Sequence, residues 1–335
     1  MRTNQQHGGG ARRVLLVDWH RRRGKTGVMP ELPEVHALAR DLGSRLRGRV
    51  VERLEIVAFA ALKTFDPPVS ALSGRTVTDV TRHGKFLDLV FDDTALGELH
   101  LVMHLARAGW IRWREAAPQR SGRPGKTPLA ARLVLADGTG QGESGRDGTT
   151  LAKGSGFDVT EAGSKKSLAI HVVRYPREVP GIARLGPDPL ETTFTLERFQ
   201  RLLEAGGRRQ IKGLLRDQST IAGIGNAYSD EILHAARMSP FKPAAMTPDD
   251  AGRLFGAMQA TLREAIARAD GLAASELKHE KKSNLQVHGR TGEACPVCGD
   301  TVRQVIYTDS TFQYCPSCQT GGKPLADRVL SRLLK

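Results

Sequence analysis

Four cysteines in two short pairs are the residues whose spacing points most directly to chemistry. Cys295 and Cys298 form one Cys-x-x-Cys pair, Cys315 and Cys318 form a second, and 16 residues separate the pairs. Four thiolates at this spacing can surround one Zn²⁺ in a tetrahedron. Because protein ligands then fill every position around the ion, we expect the zinc to be structural. Two redox dithiols are the alternative, but they need a thioredoxin-like strand–helix–strand context that the sequence lacks.

A glycine-containing turn between two predicted helices carries a second candidate site. Lys212 lies in IKGLLRDQ and Asn226 in IAGIGNAYSDEIL, on either side of the turn. Free backbone N–H groups at the start of the helix at Asn226 can bind an anion, and Gly223 and Gly225 let a phosphate approach the main chain. The turn therefore predicts a phosphodiester site, although an ordinary helix–turn–helix corner with Asn226 as the N-cap fits the same residues.

The segment after Met29 reads PELPEVHALARDLGSRL and places two carboxylates at the start of a helix. Apolar residues recur in it at i, i+3, i+4 and i+7, and Pro33 suits a first helical turn, so the spacing predicts one amphipathic helix. Glu31 and Glu34 lie one turn apart at its beginning. Taken alone, both are explained by the partial positive charge of a helix N-terminus, which favours acidic side chains.

The composition is that of a multidomain globular chain that binds a polyanion. Its 335 residues suffice for two or three domains, and 50 Lys and Arg against 36 Asp and Glu give a formal net charge of +14. The longest uninterrupted apolar run, Ile56 to Leu62, is far short of the ~18–20 residues needed to cross a bilayer, which excludes a membrane protein. Because every cysteine lies in a Cys-x-x-Cys pair, we expect a reducing, intracellular setting, cytoplasmic and associated with the nucleoid.

Residues 1–28 differ from the rest of the chain. They carry seven basic side chains and one acidic one. Their continuous apolar run, Val14 to Val17, is too short for the core of a secretory signal. An Arg-rich transit peptide stays open as an alternative, but we interpret the segment as an upstream, unstructured extension without a folded role, since a distinctive stretch begins at Met29.

From Val50 to Val173 the sequence breaks into short pieces rich in β-branched residues, which predicts a sandwich or barrel after the first helix. The predicted strands are Val51–Phe59, Arg75–Thr81, Phe86–Phe91, Leu99–His104, Gly109–Trp113, Arg132–Ala136 and Leu168–Val173. Residues 137–156 are polar and glycine-rich, and we expect a flexible insertion at a hairpin tip. Four prolines over residues 176–195 exclude a continuous helix or central strand and predict a hinge.

The chain beyond the hinge is predicted to be helical as far as Gly271. The expected helices are Leu196–Glu204, Ile211–Asp217, Asn226–Met238 and Thr247–Ala269. A basic link, LKHEKKSN, leads to the cysteine module. The predicted fold class is therefore multidomain α+β, with a helix and β-sandwich domain over 29–175, a helical domain over 196–275, a zinc finger over 286–322 and a basic tail over 323–335.

Five motifs, in this order, resemble those of the formamidopyrimidine-DNA glycosylase/endonuclease VIII family. They are PELPEV after Met29, HGKFL around Lys85, HLARAGW from His104, IAGIGNAYSDE around Asn226, and the four-cysteine finger. The resemblance runs over about residues 29–319. It implies a β-sandwich domain, a helix–two-turn–helix domain and a zinc finger, with double-stranded DNA containing damaged bases or abasic sites bound between the domains. It also implies a monomeric base-excision repair enzyme with glycosylase and abasic-site lyase activities.

The resemblance assigns the catalytic roles. Only a chain-terminal proline is a free secondary amine, so Pro30 can attack C1′ of a damaged nucleotide only if everything through Met29 is absent. The attack expels the base and forms an iminium with the opened sugar, and β- and then δ-elimination cut the strand. Glu31 is expected to supply or relay protons as the sugar opens, and Glu34 to support the site or a water. Lys85 matches a lysine that contacts the phosphate beside the lesion, with a solvated strand lysine as the alternative.

The resemblance also implies further DNA contacts. The matching positions are His104, Arg107, Arg177, Lys212 and Asn226. Each phosphate that a cation neutralises releases counterions, so we expect DNA affinity to fall with salt. A base inside a duplex cannot reach Pro30, and the damaged nucleotide must therefore flip out at a cost of roughly a few kcal/mol.

Four departures from the family pattern bear on the lesion. Arg107 stands where a methionine normally fills the gap left by the flipped base, and Arg177 lies in YPREVP, which lacks the phenylalanine of the matching family loop. The loop that folds over 8-oxoguanine is nearly missing after Lys278, and Ser310 replaces an arginine of the finger that contacts phosphate. We expect the amine chemistry to be kept, but 8-oxoguanine is not favoured over oxidised pyrimidines, ring-opened purines, abasic sites or bulkier adducts.

Two other functions fit parts of the sequence. A non-catalytic damaged-DNA-binding protein is expected if residues 1–29 persist and block Pro30. A zinc-finger transcription factor is a weaker alternative, because a single four-cysteine knuckle without an evident base-reading helix has little means of reading sequence. No redox or nucleotide cofactor is expected.

Overall fold

The computed structural model describes residues 29–94, 97–116, 128–136, 154–162, 165–306 and 311–325. Four features of the sequence analysis fall elsewhere: the extension over 1–28, most of the predicted insertion (137–153), Ser310, and residues 326–335 of the tail all lie outside the described residues.

The N-terminal part consists of one helix and two four-stranded antiparallel sheets, which confirms the predicted β-sandwich. The helix is α1 (Leu32–Leu46). The strands are β1 (Val51–Ile56), β2 (Val77–His83), β3 (Phe86–Phe91), β4 (Leu99–His104), β5 (Gly109–Arg114), β6 (Leu129–Leu135), β7 (Gly156–Glu161) and β8 (Ala169–Val173). One sheet has the strand order β1-β6-β7-β5 and the other β2-β3-β4-β8.

The core of this part lies between α1 and the strands. Alternate residues of β3, such as Leu87 and Leu89, are fully buried, as expected when one face of a strand packs inward. The apolar stripe of α1, which includes Leu38 and Leu42, is fully buried in the same cluster. This packing fixes the position of the first turn of α1, where the carboxylates lie.

Two segments that were not predicted as regular elements form a strand and a helix. The predicted flexible insertion ends too late, because Gly156 already begins β7, which pairs with both β5 and β6. The short alternation of Phe157 and Val159 follows a long glycine-rich stretch that hid it. The predicted basic link LKHEKKSN is a helix, α7 (Leu277–Asn284).

The helical part follows the hinge, where prolines are accommodated in a short 3-10 turn at Pro176–Glu178 and in α2 (Pro180–Ala183). The further helices are α3 (Leu196–Gly206), α4 (Ile211–Arg216), α5 (Asn226–Ala235) and α6 (Pro248–Ala269). Their apolar faces form a separate core. All four were predicted, although α5 ends three residues earlier than expected and its N-cap is Gly225 rather than Asn226.

The C-terminal part is a small hairpin followed by a short helix. It comprises β9 (Arg303–Ile306), β10 (Thr311–Tyr314) and α8 (Pro316–Thr320). Buried Val287 and Val302 pack against the cysteines. Among the described helices, none is both long and apolar enough to cross a membrane.

Candidate active site

The first turn of α1 brings two buried carboxylates together. Glu31 is the N-cap, and its backbone N–H donates to Glu34 Oε2 at 2.8 Å. Glu31 and Glu34 are each 2% exposed, and Pro30 beside them is also buried. Burial of two acids at one helix start requires partners from elsewhere in the fold, because an uncompensated buried charge is strongly unfavourable.

The start of α5 supplies the partners of Glu31. The N–H groups of Gly225, Ala227 and Tyr228 donate to its carboxylate at 2.5, 2.9 and 3.3 Å. A helix N-terminus carries exposed N–H groups and a partial positive charge, so it is an anion site. The glycine-containing turn predicted an anion site here, but one that binds a phosphate. The structure corrects that assignment, because these three N–H groups hold the protein's own carboxylate.

The glycines of the turn have a different role from the one predicted. A Cβ atom on Gly225 would lie 2.4 Å from Cδ of Glu31, and one on Gly223, whose φ is +90°, would lie 2.7 Å from Cβ of Leu32. Leu32 N–H also donates to the Gly223 carbonyl at 3.0 Å. The glycines therefore allow the first turn of α1, rather than a phosphate, to approach the main chain.

Lys281 completes this group of charges. It was not among the predicted site residues. Its ammonium donates to Glu34 Oε2 at 2.7 Å and to the Met29 carbonyl at 3.2 Å, and it lies 3.8 Å from Glu31 Oε1. Its Nζ also lies 4.6 Å from the ring centroid of Tyr228, whose hydroxyl donates to Glu34 Oε1 at 2.7 Å. A signal was present: Lys281 stands four residues from both Leu277 and Leu285, on the apolar stripe of α7.

We call this group, formed by Glu31, Glu34, Lys85, Tyr228 and Lys281, the junction cluster, because its members come from both sides of the hinge. Burial raises the pKa of Glu31, but the charges of Lys281 and Lys85 and the hydrogen bond from Ala227 outweigh burial and bring that pKa below its usual value. Burial raises the pKa of Glu34 above its usual value despite Lys281. Glu31 is therefore the carboxylate of the two that is more fully ionised at neutral pH.

Lys85 enters the cluster from the turn between β2 and β3. It is 9% exposed, and burial lowers its pKa to about 8, against the opposing attraction of Glu31. Because a pKa of about 8 leaves a fraction of the amine neutral near neutral pH, Lys85 can exchange a proton as well as carry charge. The alternative interpretation as a solvated strand lysine does not fit a side chain buried to this extent.

The other predicted DNA contacts on the β-sandwich lie at its surface or edge. His104 ends β4, where its ring centroid is 4.7 Å from that of Phe86, and burial lowers its pKa to about 4, so it is neutral at pH 7. Arg107 is exposed in the turn before β5. Arg177 is exposed at the start of the hinge, with its guanidinium 4.9 Å from the ring centroid of the exposed Tyr175.

Lys212 is buried and Asn226 is half-buried, and both bind other groups of the protein. The Lys212 ammonium donates to Asp230 Oδ1 at 2.6 Å, to Ser229 Oγ at 2.7 Å and to the Asn226 carbonyl at 3.2 Å. The side-chain amide of Asn226 donates to the Thr311 carbonyl at 2.6 Å. Both residues thus tie α4, α5 and the finger together, and their predicted contact with phosphate stays a prediction.

Two acids of α5, Asp230 and Glu231, bind the segment that leads into the finger. No role was predicted for either of them. Asp230 Oδ2 pairs with His288 Nδ1 at 2.7 Å and accepts from Gln313 N–H at 3.2 Å. Glu231 accepts from the N–H groups of residues 286, 287 and 288 at 2.7, 3.0 and 2.8 Å. Helix α5 therefore holds Glu31 at its start and the finger along its length.

The four cysteine sulfurs converge as predicted. All four Sγ atoms lie within 4.8 Å of one another, with Cys295 and Cys318 at 3.9 Å and Cys298 and Cys315 at 3.3 Å. Ligands at about 2.3 Å in a tetrahedron are separated by roughly 3.8 Å, so the cluster fits a metal ion. Burial raises the pKa of the Cys315 thiol to about 11, and a bound cation is what would keep such thiols ionised. His234 Nε2, at 3.3 Å from Cys295 Sγ, is a polar neighbour that the spacing did not predict.

Comparison with known proteins agrees with this architecture. The family model of the formamidopyrimidine-DNA glycosylase N-terminal domain matches residues 29–141, and that of the H2TH domain of the same glycosylase matches residues 185–276. Formamidopyrimidine-DNA glycosylase of Moorella thermoacetica is 34% identical over 285 residues, which cover 83% of this chain and 94% of that protein. The chain belongs to the formamidopyrimidine-DNA glycosylase family. Its members are DNA glycosylases, as the motifs implied.

Two further matches show how much of the chain is similar to known proteins. An uncharacterized formamidopyrimidine-DNA glycosylase-like protein of Mycobacterium tuberculosis is 54% identical over 152 residues, 45% of this chain and 94% of that protein. The crystal structure of Lactococcus lactis formamidopyrimidine-DNA glycosylase, noncovalently bound to DNA containing an abasic site, superimposes with a TM-score of 0.69 at 23% identity, over 87% of this chain and 99% of that one. It shows that this glycosylase has the same fold.

The residues of the junction cluster do not all lie in one matched family segment. Glu31, Glu34 and Lys85 lie in the first matched segment and Tyr228 lies in the second. The second segment ends at residue 276, just before α7 begins, so Lys281 lies in neither.

Proposed function

We propose that this protein is a bifunctional DNA glycosylase and abasic-site lyase that acts on double-stranded DNA containing damaged bases or abasic sites. The observation that carries the proposal is Glu31, a buried carboxylate next to Pro30 that is held by α5 and flanked by Lys85 and Lys281. An ionised carboxylate at that place is suited to take up and return a proton at the Pro30 nitrogen. The relative from L. lactis, which binds DNA with an abasic site, supports the substrate class.

The proposed nucleophile is the nitrogen of Pro30 in a chain that begins at that residue. In the full chain this nitrogen is an amide bonded to Met29, and resonance leaves it without a nucleophilic electron pair. Removal of residues 1–29 makes it a secondary amine. Its attack forms a bond to C1′ of the flipped nucleotide, and the bond from C1′ to the base breaks so that the base leaves with the electron pair.

Glu31 then relays the proton of the new ammonium. It is ionised at neutral pH and can accept that proton from the Pro30 nitrogen, and its lowered pKa favours return of the proton to the ring oxygen of the sugar as the bond between C1′ and that oxygen breaks. The nitrogen electron pair forms the iminium. The family resemblance implied that Glu31 either supplies or relays protons. The ionised state of Glu31 favours the relay.

The iminium makes strand cleavage possible. It withdraws electrons from C2′, so C2′ loses a proton and the 3′ phosphate leaves, and a second proton loss expels the 5′ phosphate. Lys85, with its pKa of about 8, is the proposed acceptor for such protons and the proposed contact to the phosphate beside the lesion. Water finally hydrolyses the iminium and restores the amine.

Exposed cations are proposed to hold the opened duplex. Arg107 would enter the space that the flipped nucleotide leaves, where its plane can stack on bases. Arg177, over the ring of Tyr175, would contact the opposite strand. The cysteine cluster would hold one structural Zn²⁺ through Cys295, Cys298, Cys315 and Cys318. Since four thiolates fill its coordination, that ion has no role in the chemistry and instead stabilises the finger.

Borohydride trapping on DNA with an abasic site tests the proposed reaction, because borohydride reduces the iminium to a stable amine and links protein to DNA. We expect an adduct with the chain that begins at Pro30 and none with the full chain. Glu31→Gln in the shorter chain should slow trapping on the order of 10²-fold. Glu52→Gln, at an exposed acid of β1, is the matched control and should trap as wild type does. Equal nicking by the full chain, with its leader still attached, would contradict the proposal.

A non-catalytic damaged-DNA-binding protein is the second candidate. One observation favours it: in the full chain the Pro30 nitrogen is bonded to Met29, and Pro30 is buried. The intact mass of the protein purified from its own cells separates the two functions. A mature chain that begins at Pro30 supports the enzyme, whereas one that begins upstream supports the binding protein.

A further inference from the structure

Lys281 lies close to the nitrogen that the proposed reaction uses. Its ammonium is 3.2 Å from the carbonyl oxygen of Met29, and the carbon of that carbonyl is bonded directly to the Pro30 nitrogen. Standard bond lengths separate that oxygen from that nitrogen by about 2.3 Å. The Lys281 ammonium is therefore no more than about 5.5 Å from the Pro30 nitrogen.

Lys281 lies beside Glu34 and beside the Pro30 nitrogen at the same time. Its side chain is fully buried, and its ammonium compensates the buried carboxylate of Glu34. An apolar residue would continue the stripe of Leu277 and Leu285 but would leave Glu34 without a cation. The residue also lies outside both matched family segments. The same charge that compensates Glu34 therefore acts on the Pro30 nitrogen.

We propose that Lys281 is a positioning residue that keeps the N-terminal amine of Pro30 in its neutral, nucleophilic form at neutral pH. This inference rests on the proposed function. Once Met29 is absent, the ammonium of Lys281 loses that carbonyl and keeps its bond to Glu34, so its charge faces the new amine. Protonation of the amine would then place a second cation within about 5.5 Å of the first in a buried setting, where like charges repel strongly.

The neighbouring charges do not cancel this effect. The titratable or charged groups around Pro30 are Glu31 and Glu34 of α1, Lys85 of the β2–β3 turn, Lys212 and Arg216 of α4, Tyr228 of α5, Glu280 and Lys281 of α7, and His288. Glu34 is engaged with Lys281, and Glu31 is already held by three N–H groups of α5. A protonated Pro30 would add a third cation to Lys85 and Lys281, against those two carboxylates.

The test is the pH profile of borohydride trapping by the chain that begins at Pro30, under single-turnover conditions. Lys281→Met removes the charge, and we expect the acidic limb of the profile to move up by about one pH unit, so that trapping at pH 7 falls about tenfold and recovers near pH 9. Lys281→Arg keeps the charge and should keep the wild-type profile. Lys282→Met, at the exposed neighbour on the same helix, is the matched control and should leave the profile unchanged.

A second measurement does not depend on any variant folding. Titration of ¹⁵N-labelled Pro30 by NMR in the wild-type chain that begins there should give an amine pKa below the value of about 7.7–8.0 usual for a chain terminus. A value at or above that range overturns the inference. An equal loss at every pH in Lys281→Met, or the same change in Lys281→Arg, also overturns it, because a purely structural role predicts both. If wild type forms no adduct at any pH, the proposed function fails instead.

Discussion

The junction cluster and the cysteine cluster are built in opposite ways. The junction cluster draws its members from α1, the β2–β3 turn, α5 and α7, and its carboxylates and lysines compensate one another. The cysteine cluster draws all four sulfurs from residues 295–318, and once ionised they carry charge of one sign. The carboxylates and lysines of the first compensate one another, whereas the sulfurs of the second are arranged to suit a cation from outside. Helix α5 contacts both clusters. The N–H groups at its start hold Glu31, and His234 lies 3.3 Å from Cys295 Sγ.

The two clusters therefore depend on different parts of the folded protein. Groups that are far apart in the sequence can meet only after both domains have formed and docked, so the junction cluster reports on the whole fold. Groups that are close in sequence can be gathered by one ion, so the cysteine cluster reports on local metal binding. Three experiments test whether a change in one cluster leaves the other cluster intact.

Removal of the metal should have the largest effect. Structural zinc stabilises finger peptides by about 10–16 kcal/mol, so chelation under reducing conditions should unfold residues 290–322. Amide hydrogen exchange by mass spectrometry should show loss of protection there and retained protection in α1 and in β1 to β8. Metal analysis should give one zinc per chain for wild type and none for Cys295→Ser, and zinc added back to the chelated protein should restore protection. Unchanged protection of the finger after chelation would show that the fold of the finger does not depend on a metal.

Gly225→Ala should damage the junction cluster without affecting the metal. The new Cβ would lie 2.4 Å from Cδ of Glu31, so the carboxylate must move off the start of α5. Overpacking of this kind costs about 1–3 kcal/mol, and borohydride trapping should fall together with the free energy of unfolding in urea.

Gly252→Ala is the matched control for that change. Gly252 lies within α6 and has open space where a Cβ would be added. Since alanine favours a helix over glycine by about 0.5–1 kcal/mol, this variant should be slightly more stable than wild type and equally active. Zinc content should be the same in both variants. A Gly225→Ala protein with full trapping activity would show that the hold of α5 on Glu31 is dispensable.

The smallest effect, at most about 1.4 kcal/mol for each pH unit, concerns pH. The pKa of Lys85 is lowered by burial from 10.5 to about 8 in the folded protein, so between pH 8 and 10.5 the unfolded chain binds a proton that the folded chain does not. Stability conferred by neutral Lys85 therefore rises with pH across that window and is lost below it. The difference in free energy of unfolding between wild type and Lys85→Met should shift in favour of wild type by at most about 3 kcal/mol from pH 8 to 10.5. Urea unfolding at several pH values measures it, and a difference that stays constant would contradict the buried position of Lys85.

The sequence predicted the elements well where one periodicity ran without interruption. The bounds of β3 and β4 were predicted correctly, and α1 and α6 follow from apolar stripes with a favourable first turn. Prediction failed where a short element followed a long polar stretch, as at β7, or where charged residues masked a stripe, as at α7. In both cases pairing with distant strands or burial against α1 stabilises an element whose own sequence gives a weak signal.

The candidate site was predicted unevenly for a related reason. Glu31, Glu34 and Lys85 were named from motifs, but the partner of Glu31 at the start of α5 was taken for a phosphate site. Lys281 was missed altogether. Its spacing from Leu277 and Leu285 indicates burial, but it does not show that this lysine reaches a carboxylate more than 240 residues earlier. The burial that gives Lys85 and Glu31 their shifted pKa values is likewise a property of the assembled domains.

By itself, the sequence determined the four-cysteine cluster, the amphipathic helix behind Pro30, the β-rich and helical halves, and the family. Each depends on residues close together in the chain, where spacing alone constrains geometry. Only the tertiary structure decided which anion lies at the start of α5, which lysine faces Pro30, and which cations are buried rather than free to meet DNA. Those outcomes depend on contacts between segments that are distant in sequence, and on the loss of water from around them, which no local pattern encodes.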